Sequence, residues 1–138
     1  MNYAIVTAEH RGRLWTRRVA SVFAGLVTIF VLSSAIDFVL ESTGVLPGGP
    51  LYDTGLLLLA TAYRTVISIL GCYITARLAP DHRLRHALAL GALGVVLSAL
   101  AAIANTQLHL GPDWYPIALI LVALPCAWTA GKLAEQAA

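Results

Sequence analysis

The stretch that most limits the fold of this 138-residue chain runs from Asp53 to Leu78, DTGLLLLATAYRTVISILGCYITARL. A hydrocarbon core about 30 Å thick is crossed by roughly 20 mostly apolar helical residues. This segment is long enough to do so, yet it carries Arg64 near its middle. Even lenient insertion scales put the cost of a central Arg at roughly 2.5–3.5 kcal/mol, so its guanidinium should face protein or a wet cavity and have a partner. Composition points the same way. With 59% hydrophobic and 12% charged residues and a mean hydropathy of +0.79, the chain is more apolar than a soluble domain requires. It reads as an integral membrane protein, with the lipid bilayer as its first partner. A net charge of +2 is too small to argue for nucleic acid. Cys72 and Cys126 each lie inside an apolar segment and read as packed thiols, not as a disulfide framework.

Breaks in hydropathy predict an all-α fold, a four-transmembrane-helix bundle. A basic N-terminal segment, 1–18, precedes spans at about 19–40, 54–76, 87–104 and 115–131, and a short tail covers 132–138. Gly44, Pro47, Gly48, Gly49 and Pro50 force a loop after the first span, and Pro80 ends the second. The start of the first span, with its basic flank and the small residues Ser33 and Ala35, also fits a signal-peptide cleavage pattern; we read the intact segment as an anchor. Arg11, Arg13, Arg17 and Arg18 precede the first span, Arg77, Arg83 and Arg85 lie at the second connection, and Lys132 follows the fourth span, while the other two loops carry no Lys or Arg. That asymmetry predicts cytoplasmic N and C termini. Trp15 and Trp128 then fall near the inner interface, and Tyr52, Trp114 and Tyr115 near the outer one. Gly49-Pro50-Leu51-Tyr52 and Gly111-Pro112-Asp113-Trp114 give the two outer loops a faint common pattern, open either to a parallel duplication or to the ordinary need for a helix breaker and an interfacial aromatic.

Asp37 is the acid within the first span and the natural partner for Arg64, with Glu41 one turn beyond it and Ser33 and Ser34 one turn before. Helical side chains lean toward the N-terminus, so on two antiparallel helices Asp37 and Arg64 lean toward each other. Their backbones should differ in depth by on the order of 10 Å, a gap that an extended Arg and an Asp can largely close. The pair reads either as a structural lock or as a charged site in a pathway. Thr54, Thr61, Thr65, Ser68, Cys72 and Thr75 form one stripe on the second span with Arg64 along its edge, and Tyr63 falls to the other side of Arg64. Hydroxyls on such a stripe either bond to helices or line a groove. Ala87, Gly91, Gly94, Ser98, Ala101 and Asn105 make the third span a helix-packing surface whose partner is in the same chain or in a second copy; a homo-oligomer or a place in a larger membrane complex is expected. Pro125 should kink the fourth span. His82 and His86 stand four apart, a weak metal-ligand spacing. Asp53, His109, Asp113 and Glu41 gather acids and a histidine near the outer mouth. No nucleophile, base and orienting group form a recognisable constellation, and no phosphate cradle, Cys-x-x-Cys or HExxH occurs. No catalytic residue, cofactor or enzymatic activity is expected.

Asp37 late in the first span, LATAYRT around Arg64, TARLAP ending the second, GPDWYP before the fourth and LPCAW within it together resemble small, uncharacterised four-helix bacterial inner-membrane proteins with no assigned activity. The resemblance implies fold, compartment and bacterial origin. In size and span count the chain is also similar to small multidrug-resistance exporters and fluoride channels. The motifs differ: Glu41 stands at a helix end, where the exporters want their working Glu inside the first helix, and the Gly-rich channel pattern ending in Arg-Tyr is absent. Two functions follow as expectations. One is a non-enzymatic self-associating or accessory membrane subunit; the other is a small ion or small-molecule transporter or channel that uses Asp37 and Arg64 beside Thr61, Thr65 and Ser68.

Overall fold

A computed structural model describes residues 2–137 as four helices, α1 (Asn2–Ser42), α2 (Thr54–Leu78), α3 (Arg83–Leu108) and α4 (Trp114–Gln136). Each is long and apolar enough to cross a membrane, the build of a multi-pass membrane protein. All four run past the apolar spans that hydropathy marks out. α1 is the extreme case, because the basic residues 2–18 continue the first span as one 41-residue helix, about 60 Å long at 1.5 Å per residue.

Local chemistry sets the helix ends. Asp53 caps α2, its Oδ1 accepting from the Leu56 N–H at 2.8 Å. Ala79 ends it in extended geometry, as a residue before Pro80 should. Gly44 turns the chain out of α1 at φ +76°, the left-handed conformation that glycine adopts at least cost. His109 does the same for α3 at φ 52°, with its N–H bonded to the Asn105 carbonyl.

The α2–α3 connection and the C-terminal end of α4 share one end of the bundle, here termed the base; the α1–α2 and α3–α4 loops share the other, the mouth. The base is tightly closed. Cys72 and Ala76 from α2, Ala87 and Leu90 from α3, and Ala127, Ala130 and Ala134 from α4 form its buried cluster. Without hydrophobic burial to drive association in lipid, close backbone approach is what small residues contribute. Gly91 lies against Ala127, and Gly131 against Leu84 and Ala87. α1 joins through a second crossing, where a Cβ on Gly25 would sit 2.6 Å from the Gly71 carbonyl oxygen. Elsewhere α1 is loosely held: it packs chiefly on α2, less on α3, and makes no contact with α4 among the described residues. Its outward face presents Phe23, Phe30 and Phe38 in the open. Small residues inside and large apolar ones outside are the inverse of a soluble bundle.

The small face of α3 thus finds its partner within the chain. Ala87 and Gly91 are buried against α4, and Gly94 has the Ala123 Cβ as its neighbour, 3.7 Å from where a Cβ would stand. Ser98 departs from the packing expectation and borders a cavity instead. The residues opposite are themselves small, which is why α4 fits there.

At the mouth the two Gly-Pro loops bond to each other. The Leu51 N–H donates to the Leu110 carbonyl at 2.8 Å, and the Tyr52 hydroxyl donates to the His109 carbonyl at 2.6 Å. Gly111 has no room for a side chain here, since its Cβ would come 2.5 Å from the Leu51 carbonyl oxygen.

Candidate functional site

Three side chains meet between α1 and α2, above the Gly25–Gly71 crossing. Arg64 Nη2 donates to Asp37 Oδ2 at 2.6 Å, and the Tyr63 hydroxyl donates to Asp37 Oδ1. Each carboxylate oxygen therefore holds one donor, and both donors come from consecutive residues of one helix. The Arg64 and Asp37 side chains are 34% and 28% exposed. The pair is not closed over.

Two cavities border the pair. The central cavity, about 260 Å³, takes lining from all four helices, with Leu26, Ile29 and Ser33 of α1 facing Gly94, Leu97 and Ser98 of α3. Thr65 and Ser68 of α2 border it too, and Arg64 is its one charged lining residue among those described. The mouth cavity, about 310 Å³, lies under the joined loops and is bordered by Asp37, Glu41, Tyr63, Asn105 and Tyr115. Arg64, Ala101 and Leu119 line both. The guanidinium thus stands at the boundary between them, beside the carboxylate that it pairs with.

A guanidinium carries five N–H donors, and among the described residues Arg64 spends only Nη2, on Asp37; its Nε is buried with no partner among them. The hydroxyls divide into two kinds. Thr61 and Thr65 donate to the carbonyls four residues back, at 2.8 and 2.6 Å, the ordinary use of a helical threonine. Ser33, Ser68 and Ser98 line the central cavity and make no hydrogen bond among the described residues.

The sequence-derived set is therefore sorted by the geometry. Asp37, Arg64, Thr65, Ser68 and Ser33 surround the two cavities, and Glu41 borders the mouth cavity. Two residues depart from expectation. Ser34 is exposed and borders neither cavity, because it follows Ser33 by 100° around α1 and so faces outward. Thr61 borders neither, and its hydroxyl is satisfied by the Leu57 carbonyl. Sequence reasoning gave Tyr63, Asn105 and Tyr115 no place at this site, reading Asn105 as a packing residue and Tyr115 as an interfacial aromatic. Proximity to Arg64 was the available signal for Tyr63; the other two belong to segments remote in sequence.

The candidate metal ligands do not converge. His86 Nδ1 lies 3.2 Å from the His82 carbonyl oxygen of its own helix start, and neighbouring Asp81 is engaged by Arg18 through both carboxylate oxygens. Among the described residues no group of three or more His, Cys, Asp or Glu is placed to hold a metal ion. The Arg18–Asp81 pair is itself informative, for it ties α1 to the α2–α3 connection at the base. Arg18 and Asp37 are 19 positions apart on α1, about 28 Å of rise, so the two ion pairs hold α1 at well-separated levels.

Comparison with models of protein families, with curated proteins and with solved structures finds no match to this chain.

Proposed function

We propose that the chain is a multi-pass protein of the bacterial inner membrane, with both termini in the cytoplasm, and that it works as a small ion or small-molecule transporter or channel through Asp37 and Arg64. One observation carries this reading: Arg64 lines both cavities at once, so the ion pair stands between the mouth cavity and the middle of the bundle, where a path for a substrate would have to pass. Intramembrane ionisable residues that face a cavity are the usual markers of such paths. A bridge serving only to lock two helices has no need of space on both sides. The compartment follows from the sequence resemblance. The orientation follows from eight Lys and Arg on the base side and none in the mouth loops.

A second reading, a non-enzymatic self-associating or accessory subunit, draws on the exposed apolar face of α1, where Phe30 and Phe38 are 72% and 71% exposed and a neighbouring protein can replace lipid. One experiment separates the two. Wild type, Asp37→Asn, Arg64→Met and the double variant are compared for thermal unfolding in detergent and for proton, cation and anion flux in liposomes. Transport predicts selective wild-type flux that Asp37→Asn stops while staying folded. If wild-type liposomes pass nothing above empty ones, and the double variant recovers the stability that the singles lose, the pair is structural and the subunit reading takes its place.

A further inference from the structure

Resting on the reading of the two cavities as one substrate path, we infer that the central cavity binds a small organic monocarboxylate, and that each anion bound is accompanied by one proton taken up on Asp37. The cavity is built to donate. Arg64 is its one charged lining group among the described residues, most of its N–H groups are unspent on protein, and the hydroxyls of Ser33, Ser68 and Ser98 stand free around the same space. A ligand that fits such a wall brings acceptors. A carboxylate matches the planar guanidinium fork with two oxygens, one more than Asp37 offers it, since the other Asp37 oxygen is held by Tyr63. The remaining wall, with Leu26, Ile29, Leu97 and Leu119, suits an apolar body. At about 260 Å³ the cavity lies just below the range that holds drug-sized ligands, so that body is small.

The proton follows from charge. Asp37 and Arg64 are neutral as a pair, and an anion added to them would leave a net negative charge at membrane depth, where unpaired charge is costly. Arg64 cannot give up its proton, whereas Asp37 can accept one. On binding, the Arg64–Asp37 hydrogen bond breaks, a proton from solution forms the Asp37 O–H, and the guanidinium takes the incoming carboxylate in place of its old partner. The empty site is neutral, and with one anion and one proton added it is neutral again. The other groups that face Asp37 and Arg64 around the mouth cavity are Glu41 from α1, Tyr63 from α2, Asn105 from α3 and Tyr115 from α4. Of these Glu41 alone is an acid, and its exposed position at the end of α1 places it on the proton's route from solution and not against the bound anion.

The test is calorimetric titration of sodium benzoate into the purified full chain in lipid nanodiscs, repeated in buffers of different ionisation heat so that protons are counted. Wild type should bind benzoate with about one proton taken up, and affinity should rise about tenfold per unit fall in pH while Asp37 is ionised in the free protein. Arg64→Met should lose binding. Asp37→Asn, which fixes the carboxyl in an uncharged form, should bind benzoate more tightly and without proton uptake. The inference is overturned if wild type does not bind benzoate, if it binds without taking up a proton, if benzylammonium binds better, or if folded Asp37→Asn loses binding. Should Asp37→Asn fail to fold, the wild-type proton count decides alone. Benzoate binding without flux in liposomes leaves this site standing and removes the transport reading; flux without benzoate binding does the reverse.

Discussion

Asp37 is held by two donors of different kinds, and they should not be equivalent. Arg64 supplies charge, whereas the Tyr63 hydroxyl supplies a neutral donor to the other oxygen. Removing Arg64 leaves an acid that can protonate; removing Asp37 leaves a guanidinium that cannot deprotonate. Asp37→Asn should therefore destabilise more than Arg64→Met, by up to about 3 kcal/mol for an unpaired buried charge, and the double variant should recover most of the loss. Tyr63→Phe removes a single hydrogen bond and should cost about 1 kcal/mol. Unfolding titrated with a denaturing detergent and followed by tryptophan fluorescence measures all four. Arg64 and Asp37 were legible in the sequence because charge inside an apolar run is rare and the opposed lean of antiparallel helices brings the two together. Tyr63 was not. Its position, 100° around α2 from Arg64, reads as another face, yet both side chains are long enough to reach a carboxylate on the helix that passes in front of them.

The helices are held where backbones touch, and glycine marks those places unequally. A Cβ on Gly25 would fall 2.6 Å from the Gly71 carbonyl oxygen, and also on Thr75, so Gly25→Ala must push α1 off α2; overpacking of this kind costs about 1–3 kcal/mol. Gly12, on the same helix, has nothing within 4 Å. Gly12→Ala should instead stabilise α1 by up to about 1 kcal/mol through helix propensity, and the opposite signs of the two substitutions in one unfolding assay check the crossing directly. The ion pair at the base adds a pH dependence. Hydrogen bonding from Arg18 holds the Asp81 carboxyl below its ordinary value, so its contribution to stability is complete above the ordinary carboxylate range, about pH 4, and is lost as pH falls through the lowered folded value. Asp81→Asn should flatten that acid limb and lower stability above it by the same amount, a small one because both side chains are partly exposed. The sequence announces a small-residue face on α3 but does not say what fills it. That answer lies in α4, whose Ala123, Ala127 and Gly131 recur at four-residue spacing, and pairing two such stripes is a tertiary fact that no single helix records.

Taken whole, the molecule is closed at the base and open toward the mouth. Hydropathy was enough to predict four helices, since backbone groups in lipid leave few alternatives. The joined mouth loops were beyond its reach, because they are held by main-chain bonds such as Leu51 to Leu110 that carry no side-chain signature. What this asymmetry does depends on which end faces the cytoplasm, and the charges bear on that. Eight Lys and Arg lie toward the base and none in the mouth loops, and several are also bound there: Arg77 and Arg83 donate to the Ala137 and Ala134 carbonyls at 3.1 and 3.0 Å, toward the negative end of the α4 dipole. Inverting the protein would carry that cluster across the bilayer. A base-inside orientation is therefore expected, and it leaves the mouth cavity facing the far side of the membrane, where a substrate from outside would meet Asp37 and Glu41 first. Cysteine scanning checks it. Cys72 and Cys126 are buried and can be replaced by alanine for a silent background. Gly48 has open space around it, so Gly48→Cys should react with a membrane-impermeant maleimide in intact cells, while Glu135→Cys should react only after permeabilisation. The reverse pattern would place the basic cluster outside, turn the mouth cavity toward the cytoplasm, and make Asp37 accessible to cytoplasmic protons instead.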